Sequence, residues 1–187
     1  MYSYEIEQDT DTENPREAWD NAAVMACWHS RYKLGDDSKV WGCPAQPHEF
    51  VEWAEHARAV YLPLYLYDHS GITMSTSSFS DRWDSGQVGY IYLTRETILR
   101  EWGWKVLTKK RIAFLENYMR GEVETYDQYL TGDVWGYIIK DEDGEEVDSC
   151  WGYYGRDYCE QEAESTIAAR EAREPKQFEL DLTEERI

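Results

Sequence analysis

Basic residues are scarce in this chain: 19 Lys and Arg stand against 38 Asp and Glu, a net charge of −19 over 187 residues. That deficit argues against direct binding to nucleic acid or to an anionic membrane, because both need a surplus of Lys and Arg. No run approaches the roughly 20 consecutive apolar residues that cross a bilayer. The opening Met1-Tyr2-Ser3-Tyr4-Glu5 has no basic stretch followed by an apolar one, so no secretory signal is expected. Cysteine is limited to Cys27, Cys43, Cys150 and Cys159, too few to read as a disulfide framework at this length. The expected compartment is the cytoplasm. A Gly-x-Ser-x-Gly elbow, a Walker A loop and a dinucleotide fingerprint are all missing, and no cofactor is expected.

Aromatic residues are abundant, with nine Trp and fifteen Tyr, and 42% of the chain is hydrophobic. A chain of that composition folds rather than remaining disordered. The acids are interspersed with these aromatics, so self-repulsion must be overcome in a folded body, which points to a use for the field itself. Duplex DNA carries one charge per about 1.7 Å of axis, so nineteen charges correspond to roughly 30 Å of duplex. Residues 112–187 hold most of the excess, with 21 acids and 7 bases, whereas residues 61–111 have 5 acids and 7 bases.

The expected fold class is α+β, an antiparallel sheet with hairpins packed against several helices. Residues 1–17 read as an acidic N-terminal arm or edge, 18–175 as a single α+β domain and 176–187 as a charged tail. A helix is predicted from Pro15 to about Tyr32, and another over 48–60 from the spacing of Phe50, Trp53, Ala54 and Ala57. Strands are predicted over 61–67, with Pro63 at a start or edge, and over 87–94. The Ser/Thr/Asp/Gly-rich segment between them reads as a long loop. Thr94 is expected to cap a helix ending near Gly103, and a longer helix begins at Thr108. A hairpin turning at Asp143-Gly144 joins strands 133–140 and 145–153, and a last helix runs over 156–172.

Six carboxylates crowd the hairpin: Asp141, Glu142, Asp143, Glu145, Glu146 and Asp148. The segment echoes a calcium loop, but the EF-hand register puts Ile139 at the first ligand position and Cys150 at the last, so that pattern fails. On the last helix Asp157, Glu160, Glu164 and Glu171 recur at helical spacing along one face. Hairpin and helix together form the candidate partner-binding site: Asp141, Glu142, Asp143, Glu145, Glu146, Asp148, Asp157, Glu160 and Glu164. No catalytic or metal site is expected. The set Cys27, His29, Cys43 and His48 does not have structural-zinc spacing, and Cys150 and Cys159 read as buried thiols. The loop around Asp68 and His69 holds hydrolase residue types and is the alternative site, for acid–base chemistry. Arg95, Arg100, Lys105, Lys109, Lys110 and Arg111 form an isolated basic cluster, expected to pair with acidic ends of the same chain or of a second copy, with phosphate binding as the alternative.

Residues 65–76 (Tyr-Leu-Tyr-Asp-His-Ser-Gly-Ile-Thr-Met-Ser-Thr), 83–92 and 124–134, with the ending Cys150-Trp151-Gly152-Tyr153-Tyr154-Gly155, resemble a family of small acidic proteins of bacteriophages and mobile elements. The resemblance covers roughly residues 48–160 and brings no catalytic residue with it. It implies a phage-type setting inside a host bacterial cell, where small acidic proteins disarm defence systems. The expected function is an anti-CRISPR or anti-restriction inhibitor acting as a DNA mimic. Its expected partner is a basic nucleic-acid-binding host protein, a CRISPR effector or restriction enzyme. A small hydrolase or nuclease, and a regulator of some other basic host protein, are the alternatives.

Overall fold

The computed structural model describes residues 2–173. In chain order the elements are β1 (Ser3–Gln8), α1 (Pro15–Ala18), β2 (Val24–Cys27), α2 (Phe50–Ala57), β3 (Val60–Asp68), β4 (Ile72–Ser75), β5 (Ser85–Leu93), α3 (Arg95–Trp102), α4 (Lys109–Thr131), β6 (Val134–Lys140), β7 (Glu146–Tyr154) and α5 (Arg156–Arg173). The fold is α+β with antiparallel strands, but in two sheets rather than one, ordered β2-β5-β3-β4 and β1-β6-β7. The chain divides into two compact units, Met1–Asp9 with Trp135–Ile187, and Thr10–Val134. Residues 18–134 of the expected single domain lie in the larger unit and 135–173 in the smaller, and the expected arm or edge contributes the edge strand β1 to the smaller unit. The expected tail at 176–187 lies outside the described residues. Among the described residues, no helix is long and apolar enough to cross a membrane.

The larger unit is built on strands that are apolar on both faces. Along β3, Val60, Leu62, Leu64 and Leu66 join the main core, and α4 covers them with Leu115, Met119, Val123 and Tyr126. On β5 the alternation continues, with Ile91 and Leu93 on the α4 face and Tyr90 and Tyr92 on the other. There Phe50 of α2 stacks on Tyr90 at 4.1 Å, and Trp53 meets the edge of Tyr92 at 5.2 Å. Ring pairs of this kind add about 0.5–1.5 kcal/mol each beyond area burial.

Residues 19–32 are not helical. Asp20 and Asn21 follow the one-turn α1, and Val24 to Cys27 enter the sheet beside β5. The apolar run Ala22–Trp28 fits a buried strand as well as a helix, and pairing with β5 decides between them. The loop expected after Asp68 contains β4, which pairs with β3 from Tyr65↔Ser75 to Asp68↔Ile72. Pro63 lies upstream of that pairing, opposite Tyr90 of β5, so its missing N–H costs no ladder bond to β4.

Thr94 caps α3 as expected, its Oγ1 accepting from Thr97 N at 3.1 Å, and Gly103 closes the helix at φ +66°. The helix after Thr108 runs through Gly121 to Thr131.

In the smaller unit, β1 pairs with β6 in antiparallel register from Ser3↔Lys140 to Gln8↔Trp135. Tyr4 and Ile6 share a face with Tyr137 and Ile139 against Cys159, Ala163 and Ile167 of α5. Glu5 and Glu7 consequently point to the opposite face, where the Trp151 ring packs against Gly136. A Cβ at Gly136 would come within 2.2 Å of the Trp151 ring, so the close approach requires glycine.

Candidate functional site

Every residue of the expected partner-binding site falls within the smaller unit, on the β6–β7 hairpin and on α5. Residues 2–9 and 135–173 of that unit hold fourteen acids against four bases. Glu5, Glu7 and Asp9, expected on an N-terminal arm or edge, are part of this unit. The alternation of Tyr4 and Ile6 with Ser3, Glu5 and Glu7 is the strand signal that places them there.

The hairpin tip is held by Asp141. Its Oδ1 accepts from the N–H groups of Asp143 and Glu145, both at 3.0 Å, and its own N–H donates to Glu145 O at 3.0 Å. Gly144 completes the turn at φ +81°, a left-handed conformation that favours glycine. Asp141 is therefore committed to turn geometry as well as to charge. Asp141→Ala should destabilise the hairpin by about 1 kcal/mol and speed amide exchange at Asp143 and Glu145. Asp141→Asn keeps an acceptor and should leave exchange near the wild-type rate; equal acceleration in both variants would mean that charge, not the turn bonds, sets the geometry.

The remaining carboxylates differ in how freely they face solvent. Asp143 and Glu145 are exposed, with no side-chain hydrogen bond or ion pair among the described residues. Glu146 accepts from Ser149 Oγ at 2.8 Å. Asp148 pairs with Arg170 at 2.7 Å, and Glu160 with Arg156 at 2.9 Å one helical turn away. Glu164 accepts from Tyr4 OH at 3.3 Å, and Asp157 is exposed in the first turn of α5, where negative charge favours the helix N-terminus. Lys140 meets Glu5 at 2.6 Å. Exposed pairs of this kind contribute at most about 1 kcal/mol each, so they exchange readily for another cation. Trp151 and Tyr158, 45% and 53% exposed, supply apolar contact area in the same unit.

The alternative site is arranged differently from the expectation. Asp68 accepts from Tyr32 OH at 3.2 Å and pairs with Arg31 at 2.9 Å, whereas His69 Nδ1 lies 2.9 Å from Asp84 Oδ2. The histidine's partner is thus Asp84, and both side chains are largely open to water, at 62% and 42% exposure. The N–H groups of Trp83 and Asp84 hold Asp81 below the usual carboxylate range. This is a hydrogen-bonded turn leading into β5.

Among the described residues, no three His, Cys, Asp or Glu side chains converge as metal ligands. Cys27 of β2 packs into the α4 side of the sheet, and Cys43, in the segment before α2, packs against the α2 side. Burial pushes the Cys27 thiol up to about 12. Cys159 is buried as expected, but Cys150 is exposed on β7.

The motifs that carry the phage-family resemblance lie mainly on the β3–β4 hairpin, β5 and the end of α4, elements of the larger unit. Compared with known proteins, the chain matches no family model, no curated protein and no solved structure.

Proposed function

We propose that the protein is a phage-type inhibitor whose smaller unit occupies the Lys/Arg groove of a host nucleic-acid-binding effector, a CRISPR effector or restriction enzyme. The observation that carries the reading is the concentration of charge: fourteen acids and four bases among the described residues of one small unit. Their net charge equals that of roughly 17 Å of duplex, about half a helical turn. The acids are mounted on a stapled hairpin and a helix, so a partner finds them preorganised and little ordering entropy is lost on binding. Complementary charge raises the encounter rate, while Trp151 and Tyr158, once desolvated, set the residence time. The phage setting is the one its motifs resemble.

The test begins with tagged protein incubated in bacterial lysate and washed at low and then high salt. A nucleic-acid-binding effector should be retained, released by salt and displaced by duplex DNA. Against that effector, Asp143→Lys/Glu145→Lys/Glu146→Lys should raise Kd about 100-fold, at roughly 0.5 kcal/mol per unit of charge changed. His69→Ala should have no effect. Unchanged affinity in the triple variant, or loss of function in His69→Ala, would sink the decoy reading.

A further inference from the structure

We infer that the corner between α3 and α4 binds the acidic unit of a second copy of the chain, so that copies associate head to tail. Between Arg95 and Arg111 the sequence has six bases and two acids, the reverse of its overall balance. The arginines of this stretch are engaged locally. Arg95 donates to Trp104 O at 2.9 Å, Arg111 donates to Val106 O at 2.7 Å and covers the Trp104 ring at 4.9 Å, and Arg100 pairs with Glu101. Lys105, Lys109 and Lys110 are exposed, and their side chains have no hydrogen bond or ion pair with any described residue. In a chain with two acids for every base, three neighbouring lysines left unpaired mark a place where the anion comes from outside.

The lysines border apolar surface. Val106 is 66% exposed and Phe114 49%, and Phe114 meets the edges of Trp102 and Trp104 at 6.4 and 5.5 Å. Single exposed apolar residues are ordinary, but a contiguous group with a charged rim has the anatomy of an interface. Charge selects the occupant. Two-fold pairing of this corner with itself would set lysines against lysines. Nucleic acid would be repelled by the remainder of a chain of net charge −19. The acidic unit of another copy supplies both halves of the match, with free carboxylates at Asp143 and Glu145 and exposed rings at Trp151 and Tyr158. Such a contact joins two different surfaces, so copies can add in succession or close on themselves. The acidic surface is the one proposed to meet the host effector, and sedimentation of the chain alone tests self-association without that effector.

Sedimentation equilibrium at low salt tests it. The wild-type mass should rise with concentration from 22.1 kDa to at least twice that value and fall back in about 0.5 M salt, where charges are screened. Lys105→Glu/Lys109→Glu/Lys110→Glu should remain at monomer mass, as should Asp143→Lys/Glu145→Lys/Glu146→Lys. Lys33→Glu/Lys39→Glu/Arg120→Glu has the same net charge as the first variant and should assemble like the wild type. Mixed in equal amounts, the two monomeric variants should associate again, because each keeps one native face and the two reversed faces are complementary to each other in charge. Circular dichroism of each variant verifies that it is folded. A wild type that stays monomeric, a Lys105/Lys109/Lys110 variant that assembles normally, or a mixture that fails to pair would overturn the inference. Binding of a monomeric wild type to oligo(dT), lost in the lysine variant, would also overturn it and assign the corner to nucleic acid.

Discussion

Replacing Arg16 by methionine should cost the larger unit about 3–5 kcal/mol, a large part of a typical domain's stability. Arg16 is the one charged residue among the fully buried positions described. Its Nε and Nη2 grip Asp36 at 2.7 and 2.9 Å, Nη1 meets Glu122 at 2.6 Å, and Nη2 also donates to Ala23 O at 2.7 Å. Burial opposes the guanidinium charge, but the bonds to Asp36 and Glu122 outweigh it and hold its pKa above the ordinary value. The two carboxylates serve the backbone as well, accepting from Met25 N at 2.9 Å and Ala23 N at 3.2 Å. Removing the arginine leaves two carboxylates, about one-tenth exposed, with no compensating cation. α1, β2 and α4 meet at this cluster, so its loss loosens all three. Chemical denaturation should show the full effect in Arg16→Met. Arg16→Met/Asp36→Asn/Glu122→Gln should recover more than half of it, because neutral partners no longer leave a buried charge. A loss under about 1 kcal/mol in the single variant would mean that water already solvates the carboxylates.

The second large effect is expected at Gly89. β5 lies between β2 and β3, and its register with β3 shifts where Leu64↔Gly89 gives way to Tyr65↔Gln87, leaving Val88 as an extra residue. The bulge brings β2 close: a Cβ at Gly89 would lie 2.1 Å from the Ala26 carbonyl oxygen and 3.0 Å from the Cys27 Cα. Both are backbone atoms of a paired strand, so no side-chain rotation relieves the clash. Gly89→Ala should therefore cost about 3 kcal/mol, the upper range for overpacking. Gly86, three residues earlier on the same strand, has nothing within 4 Å of its Cβ position. Gly86→Ala should change stability by less than about 1 kcal/mol and is the control. Equal unfolding midpoints for the two variants would refute the close-approach account.

Local signals in the sequence carried far where they were strong. Thr94 and Gly103 bracket α3, Asp143-Gly144 marks the hairpin, and α5 begins at Arg156 as expected. They failed where one pattern serves two structures. Ala22–Trp28 has no polar residue to declare a face, so helix and strand are equally compatible until β5 supplies a partner. β4 has four residues, too few for periodicity to stand out from a Ser/Thr-rich loop. The exposure of Cys150 was equally hidden, since its position on the edge strand β7 depends on pairing with β6.

By itself, the sequence determined the amount of charge, its concentration toward the C-terminal third and the elements that carry the candidate carboxylates. These are properties of composition and of short-range periodicity, and folding leaves them in place. Only the tertiary structure decided that β1 joins β6, bringing Glu5 and Glu7 into the acidic unit, and that His69 pairs with Asp84 rather than Asp68. It also decided which carboxylates are free and that the chain divides into two units. Those outcomes depend on contacts between residues far apart in the chain, whose entropy of closure is met only when the strand pairings and the buried cores form together.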